Sequence, residues 1–492
     1  MNRKPNIPRR EKLVALVGAL TLAYTAWGYG GVIAWSLHLM LAGGLLTLAL
    51  ALVPLPGVRG AGSGFSRTTF PISRFASLFF AAAFLLYLAI AALNPAWQIA
   101  SDARGWWLES VPPALASWLP TSVAAPYEPM NAWRIFNMHL AAFSLAFGLD
   151  YGLASRRSAQ FVLWFFLFNL SGMAAVAIAQ QYTGSDAVLW TLKSENPNFW
   201  GSFFYRNQGA AYLNWGIVLA GVLYFHHARR AREAFRSGGP HFMSFCLIGL
   251  IAVSVGLALS RGGILFAGIL VGLFLILVLA DYLYHTLGQL SRHTVWLTAT
   301  LTLTLTLLLS VGLYQANRAI DWQAMETRFG DIEATIEEAD RDARVLSSKL
   351  TWRMAQDQLW TGWGAGSFRY AFPIYQQEVP ELFYARKHHK RGWEGRRFYR
   401  YAHNDVLQFL TEYGVIGSGL LLLAIVSFLL PAWKAMLQYP LLTLFFLAGC
   451  LAAAGHAFLD FIFHSPSYWV ALVAGIALVS RLLQLEARRS WG

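Results

Sequence analysis

Residues 242–283 read FMSFCLIGLIAVSVGLALSRGGILFAGILVGLFLILVLADYL. Between Phe242 and Ala280 the one charged side chain is Arg261, so two apolar runs meet at the joint Ser260-Arg261-Gly262-Gly263. Each run approaches the roughly 20 residues that cross a hydrocarbon core about 30 Å thick. The pair reads as two membrane helices with almost no connection between them. The rest of the chain repeats the theme. Of its 492 residues 57% are hydrophobic and 13% are charged, the latter about half the share of a soluble domain. This excludes a soluble enzyme, a disordered chain and a fibrous repeat. Apolar segments centred near residues 20, 42, 84, 141, 170, 218, 250, 271, 304, 420, 450 and 474 predict an all-α, polytopic membrane protein of about twelve transmembrane helices. Cys246 and Cys450 fall inside apolar runs and are expected as small buried hydrophobes, outside any disulfide or metal site.

The formal net charge is +13. Nucleic-acid binding needs a soluble basic face, which apolar helices do not supply, so no nucleic-acid partner is expected. The stretch MNRKPNIPRREK before LVALVGALTLAYTAWG has the outline of a signal peptide, but no small-x-small cleavage site follows. It is expected to remain as the first span. With the N-terminus inside, the inner segments hold 19 of the 38 Lys and Arg residues; the short outer loops and their edges hold Arg104, Arg134, Lys193, Arg206 and Arg261. The remaining 14 lie in one long outer loop, which crosses largely regardless of charge. Both termini are therefore expected in the cytoplasm.

This reading divides the chain into four parts. Residues 1–159 hold helices one to four, with a Pro- and Trp-rich outer loop at 94–132 expected to lie in the membrane interface. Residues 160–314 hold helices five to nine. Residues 315–402 form the long outer loop, with helix formers over 322–360 and the turn TGWGAGSF after them. Residues 403–492 hold helices ten to twelve.

An intramembrane charge costs on the order of 3 kcal/mol, so polar side chains at a membrane edge mark function. Three outer-edge features qualify. At Ser260-Arg261-Gly262-Gly263 two glycines let the backbone approach a ligand. The helix start offers free N–H donors, and Arg261 offers a planar fork suited to phosphate. Arg206-Asn207-Gln208 precedes the sixth span, and a diphosphate needs more than one such donor. Either arginine could instead be an interfacial anchor reaching to lipid headgroups. The third feature is YAHNDVLQFLTEYGVIG, residues 401–417. His403 and Asn404 open a helix, and Gly414 and Gly417 are placed on one face of it for close packing. His403 can act as a general base or serve only at the helix cap.

His403-Asn404, nine residues, then Gly414-x-x-Gly417 resembles the H-[N/S/Q]-x9-G-x-x-G signature of O-antigen ligases. The SRGG joint, the RNQ segment and the long loop ending at the histidine resemble the same superfamily, which also holds Wzy-type polysaccharide polymerases and some protein O-oligosaccharyltransferases. The resemblance covers roughly residues 160–485. It implies a GT-C-like, metal-independent, inverting glycosyltransferase without a cofactor. The donor would be a glycan on undecaprenyl diphosphate at the periplasmic face of the bacterial inner membrane. The acceptor would be lipid A-core for a ligase, or a second lipid-linked glycan for a polymerase. His403 matches the family's essential histidine, and Arg206 and Arg261 match its diphosphate-binding arginines. Arg353 and the turn Gly362-x-Gly364-x-Gly366 resemble a family pattern too, although the run Leu359-Trp360-Thr361 lacks the proline often found there. Asn207, Asn404, Arg353 and Arg369 are further candidates for substrate contact.

Other features are weaker. Asp340-Arg341-Asp342 spells a D-x-D metal motif but sits among alternating charges, as on a solvated face. His456, Asp460 and His464 are spaced four apart, which on one helix puts them on one face, as polar glue or cavity lining. The run from Arg386 to Arg400 has seven Lys or Arg residues against Glu394, and reads as a solvated loop or a clamp for an anionic acceptor. A twelve-span transporter is the rival class. It would need ionisable groups near the bilayer midplane, whereas the polar candidates here crowd one edge.

Overall fold

The computed structural model describes residues 7–53, 72–103, 105–128, 130–194, 196–236, 238–286, 343–388 and 392–487. The chain is mostly helical. Long helices run over Arg9–Trp27 (α1), Ala34–Leu52 (α2), Ile72–Leu93 (α3), Ala132–Gly152 (α4), Arg156–Tyr182 (α5), Arg206–Glu233 (α6), His241–Leu257 (α7) and Arg261–Thr286 (α8). After the shorter Ala343–Asp357 (α9) and Phe368–Gln376 (α10) come Asp405–Ser427 (α11), Pro440–Leu459 (α12) and Pro466–Ala487 (α13). The apolar centre near residue 304 and the Asp340-Arg341-Asp342 motif lie outside the described residues. Each of the other eleven apolar centres falls within a helix.

Seven described segments, 34–52, 74–93, 156–182, 261–285, 405–438, 440–459 and 466–487, are long and apolar enough to cross a membrane. Local sequence sets several of the starts. Asn131 caps α4 by accepting the Arg134 N–H at 2.9 Å, and Ser155 caps α5 by accepting the Ser158 N–H at 3.2 Å.

α13 is the axis of the bundle. Ninety-four per cent of its apolar window is buried, against 28% for α8, as expected of a helix apolar on every side. Small residues set the close contacts. A Cβ on Gly475 would meet Trp215 Nε1 at 2.5 Å, and Trp215 donates to the Ala471 carbonyl at 3.1 Å. A Cβ on Gly44 would strike the Ala141 carbonyl of α4, and one on Gly148 the backbone of α2. The outward faces carry exposed Leu86, Ile276, Leu422 and Leu451, a surface suited to lipid. Cys246 is exposed on that outward surface, so the expectation of a buried thiol fails there, whereas Cys450 is half-buried against the core.

The extramembrane parts are not purely helical. Residues 94–132 hold a small sheet. Pro95–Asp102 (β1) pairs antiparallel with Gly105–Ser110 (β2) and parallel with Ser122–Ala124 (β3). Of the tryptophans expected at the interface, Trp107 and Trp118 are exposed, while Trp106 meets Tyr370 of the long loop at 6.2 Å, as Trp97 meets Trp363 at 5.3 Å. Together with α9 and α10 the sheet covers a second core around Met354, Phe368, Phe372 and Leu382. Short pairs Ala187–Val188 (β4) with Leu192–Lys193 (β5), and Tyr384–His388 (β6) with Gly392–Arg396 (β7), complete the strands described. The basic run 386–400 is therefore partly a hairpin.

Gly414 and Gly417 do not share an undistorted helical face. α11 kinks at Gly414, whose backbone (φ 62°, ψ −173°) is open to glycine but not to other L-residues. The kink frees helical backbone groups, and the loop after α9 takes them up. Trp363 N–H donates to Thr411 O at 2.8 Å, Gly364 N–H to Glu412 O at 2.9 Å, and Val415 N–H to Leu359 O at 2.8 Å. Tyr87 of α3 reaches both strands of this junction, Thr361 O at 2.6 Å and Tyr413 O at 2.8 Å. Glu412, buried in α11, accepts Gly366 N–H at 2.9 Å and Gln408 Nε2 at 3.0 Å. Gly414→Ala would place a Cβ against the Trp360 carbonyl in a forbidden backbone region. It is expected to cost about 3 kcal/mol or more, read as a lowered melting temperature of the purified protein, whereas Ser418→Ala on the same helix is expected to melt with the parent.

Candidate functional site

The turn before α11 is built by its cap. Asn404 is extended (φ −155°) and its Oδ1 accepts the Leu407 N–H at 3.0 Å, which commits that oxygen to capping rather than to substrate. The preceding residue, His403, is left-handed at φ 54°, a conformation that non-glycine residues seldom take and that clusters at functional sites. It turns the imidazole Nδ1 to within 3.4 Å of Asp460 Oδ1. The His403 side chain is 28% exposed and that of Asp460 only 4%, so the histidine reaches solvent and the carboxylate does not.

Asp460 is held from three sides. Its Oδ2 accepts from Asn207 Nδ2 and its Oδ1 accepts the Phe461 N–H. Burial raises its pKa, but the facing His403 ring, Arg344 and the Phe461 N–H together outweigh that, so its pKa lies below the ordinary carboxylate value. The placement corrects the reading of residues 456–464. α12 ends at Leu459, and Asp460 is fully extended because its own carboxylate takes the next N–H. Ile462–His464 then form a single 3₁₀ turn. His456, Asp460 and His464 therefore do not line one helix face.

A second histidine–carboxylate pair crosses the first. Asp405 Oδ1 lies 3.4 Å from His464 Nε2, and its Oδ2 accepts the Phe463 N–H at 2.8 Å. Both side chains are buried. The segment 403–405 thus grips 460–464 twice, each segment giving one histidine and one aspartate. Phe461, between the pairs, is sandwiched by Tyr205 at 4.6 Å and Tyr401 at 4.7 Å, and meets His403 edge-on at 4.7 Å.

The two arginines begin two helices that pack on α12: Arg206 opens α6 and Arg261 opens α8. Asn207 links the first directly to Asp460, and Gln208 donates to the Phe461 carbonyl at 3.1 Å. Gly262 brings the second against His456, where a Cβ would meet Nε2 at 2.6 Å; one on Gly263 would meet Ala210 at 2.5 Å. These glycines therefore admit neighbouring helices, not a ligand as their sequence suggested.

Arg353 stands apart, exposed and paired with Glu378. Arg369 is buried and donates to Tyr401 Oη at 3.2 Å, on the far side of the aromatic wall from His403. Among the described residues no group of three or more His, Cys, Asp or Glu side chains is arranged to hold a metal ion. Asp405, Tyr401 and Phe461 escaped the sequence reading. Asp405 stood in plain view beside His403-Asn404, but an acidic first-turn residue is ordinary for a helix N-terminus.

His464 is held neutral. Its buried site, with Arg369 and then His139 nearby, lowers its pKa to about 3. Below the ordinary histidine value near 6.5 the unfolded chain takes up a proton that the folded chain refuses, so this residue makes the fold lose stability as pH falls from 6.5 towards 3. Melting curves at pH 7 and pH 5 should therefore differ more for the wild type than for His464→Gln; an equal fall in both would refute a neutral His464.

Residues 245–422 match the family model described as O-antigen ligase. No curated protein matches the chain. The matched stretch runs from α7 through the Arg261 joint to His403 and the Gly414 kink. This domain supports the O-antigen ligase and Wzy-type superfamily of membrane proteins, and with it a glycosyltransferase-like enzyme acting on lipid-linked glycans.

Proposed function

We propose that the chain transfers a glycan from undecaprenyl diphosphate to an acceptor hydroxyl, with His403 as the proton-accepting group. The observation that carries this reading is the His403–Asp460–Asn207 linkage, which ties a partly exposed imidazole to a buried carboxylate and then to the helix start at Arg206. With Nδ1 facing Asp460, Nε2 is the nitrogen left to meet the acceptor. The acceptor oxygen attacks the anomeric carbon from the face opposite the diphosphate. Its proton passes to Nε2, the bond from the anomeric carbon to the diphosphate oxygen breaks, and undecaprenyl diphosphate leaves with its electron pair. The configuration inverts. Arg206 and Arg261 would neutralise charge growing on the leaving diphosphate, the electrostatic part of catalysis. Asp460 holds the ring in the tautomer that accepts the proton and stabilises the imidazolium once formed.

In this reading the site faces the periplasm of a bacterial inner membrane, both termini are cytoplasmic, and the twelve-helix arrangement is GT-C-like. Lipid A-core is the preferred acceptor, which makes the enzyme an O-antigen ligase. A polymerase shares donor and chemistry and differs in using a second lipid-linked glycan. A protein acceptor and a transport function are the remaining alternatives.

The test incubates purified protein with an undecaprenyl-diphosphate-linked glycan, with and without lipid A-core, in chelator. Glycosylated lipid A-core is expected from the wild type, and a fall of about 10²–10⁴-fold from His403→Ala. Asp460→Asn is expected to lower kcat with little effect on donor KM, because it disturbs the base and not the diphosphate contact. Longer lipid-linked chains formed without lipid A-core would replace the ligase by a polymerase. Full activity in His403→Ala would remove the histidine from the mechanism.

A further inference from the structure

Behind the Tyr401–His464 wall lies a cavity of about 390 Å³ that His403 does not line. It opens between the start of α4, the segment before α2, and the stretch 398–401. Its size suits a small polar ligand. Three of its lining residues are arginines, Arg134, Arg369 and Arg400, against one acid, Glu128. The Glu128 carboxylate is 77% exposed and stands 3.9 Å from Arg134, so water screens it, and with Glu412 buried in the pocket next to Arg369 the three guanidiniums still outnumber the carboxylates.

The arginines are held differently. Arg134 is buried, and its guanidinium is anchored by the Val32, Tyr127 and Glu128 carbonyls. Carbonyls fix its position without cancelling its charge. Arg369 is buried and lies over the Tyr401 ring at 5.4 Å. Arg400 is exposed at the rim. Two fixed cations at the wall and a third at the mouth form a preset anion site, and guanidinium forks match the paired oxygens of phosphate and carboxylate. Val32, Leu37, Ile135 and Met138 supply an apolar flank, which suits the carbon face of a sugar better than a bare ion.

The position gives the ligand a role. Tyr401 belongs to the cavity, and it reaches His403 through one intervening ring, Phe461, by two centroid contacts of 4.7 Å. The cavity wall therefore ends two ring contacts from His403. We propose that this cavity binds an oxyanion-bearing sugar of the acceptor, a phosphorylated or carboxylated residue, and so sets which hydroxyl meets His403. The acceptor role rests on the transferase reading above; the anion site itself does not.

Binding of a hexose monophosphate, with the neutral hexose as control, would be measured by calorimetry on the full-length protein in phosphatidylcholine nanodiscs. Arg400→Gln is the main variant, because an exposed side chain can be lost without unfolding. It is expected to weaken the hexose monophosphate about tenfold, the loss typical of one charge-assisted hydrogen bond. Arg369→Gln should weaken it at least as much, while Arg206→Gln, beyond the wall, should bind as the wild type does. The neutral hexose should bind none of them measurably. Unchanged binding in both Arg400→Gln and Arg369→Gln would overturn the proposal, and so would loss of binding in Arg206→Gln alone. Suppression of the signal by phosphatidylglycerol nanodiscs would assign the cavity to a lipid headgroup and overturn the sugar. The readout needs no turnover, so failure of glycan transfer would count against the proposed reaction and leave this result standing.

Discussion

The crossed pairs His403–Asp460 and Asp405–His464 bind two chain segments that sequence separates by more than fifty residues. Each pair costs desolvation, since three of the four side chains are buried, and a buried carboxylate recovers part of that cost through hydrogen bonds to its oxygens. Asp460 accepts from Asn207 and the Phe461 N–H, and Asp405 accepts the Phe463 N–H. Neither 403–405 nor 460–464 can shift without leaving a buried carboxylate underbonded. That penalty is larger than the worth of either pair alone, which is why the left-handed backbone of His403 can persist.

The polar cluster also needs a rigid floor, and the kink in α11 provides it. An unbroken helix would spend its carbonyls internally and present only side chains to the loop. By opening at Gly414, α11 offers backbone groups that residues 359–364 pair with as firmly as a strand would. Glu412 then carries the connection on to Gly366 and, through Gln408, back to the Ala402 N–H at 2.9 Å. The loop after α9, the kinked helix and the turn holding His403 are one hydrogen-bonded body. Motion of the extramembrane part relative to the membrane helices is thereby restrained at the turn that holds His403.

Hydropathy made the helices legible, because a run such as 261–285 has few structures open to it in a membrane. It also made the polar residues at helix starts conspicuous. What it could not show was anything set by backbone conformation. The spacing of His456, Asp460 and His464 fits a helix, and nothing in the residue types reveals that the Asp460 carboxylate ends that helix by bonding its neighbour's N–H. Gly414 and Gly417 look alike in a packing motif, yet one is a backbone hinge and the other makes room for the Tyr87 ring. Tryptophans at 97 and 106 are as suited to a headgroup layer as to another protein surface, and their ring contacts with Trp363 and Tyr370 could not be read from the residue types.

Basic residues show the same limit and lead to a sharper view of charge in this chain. Counting Lys and Arg treats each as free to meet lipid headgroups. Several are instead spent on buried acids: Arg74 on Asp150 at 3.3 Å, and Arg156 on Glu486 at 3.1 Å with Arg230 at 3.8 Å. Arg481 donates to the Leu153 carbonyl at 2.7 Å. These arginines sit at the end of the bundle away from His403, where they tie α13 to α3, α4, α5 and α6. At the His403 end the acids of the turn are engaged by histidines, amides and backbone N–H groups, and Arg134 by three carbonyls with the exposed Glu128 carboxylate 3.9 Å away. Ion pairs between helices hold one end of the bundle together, and at the other hydrogen bonds do most of the holding.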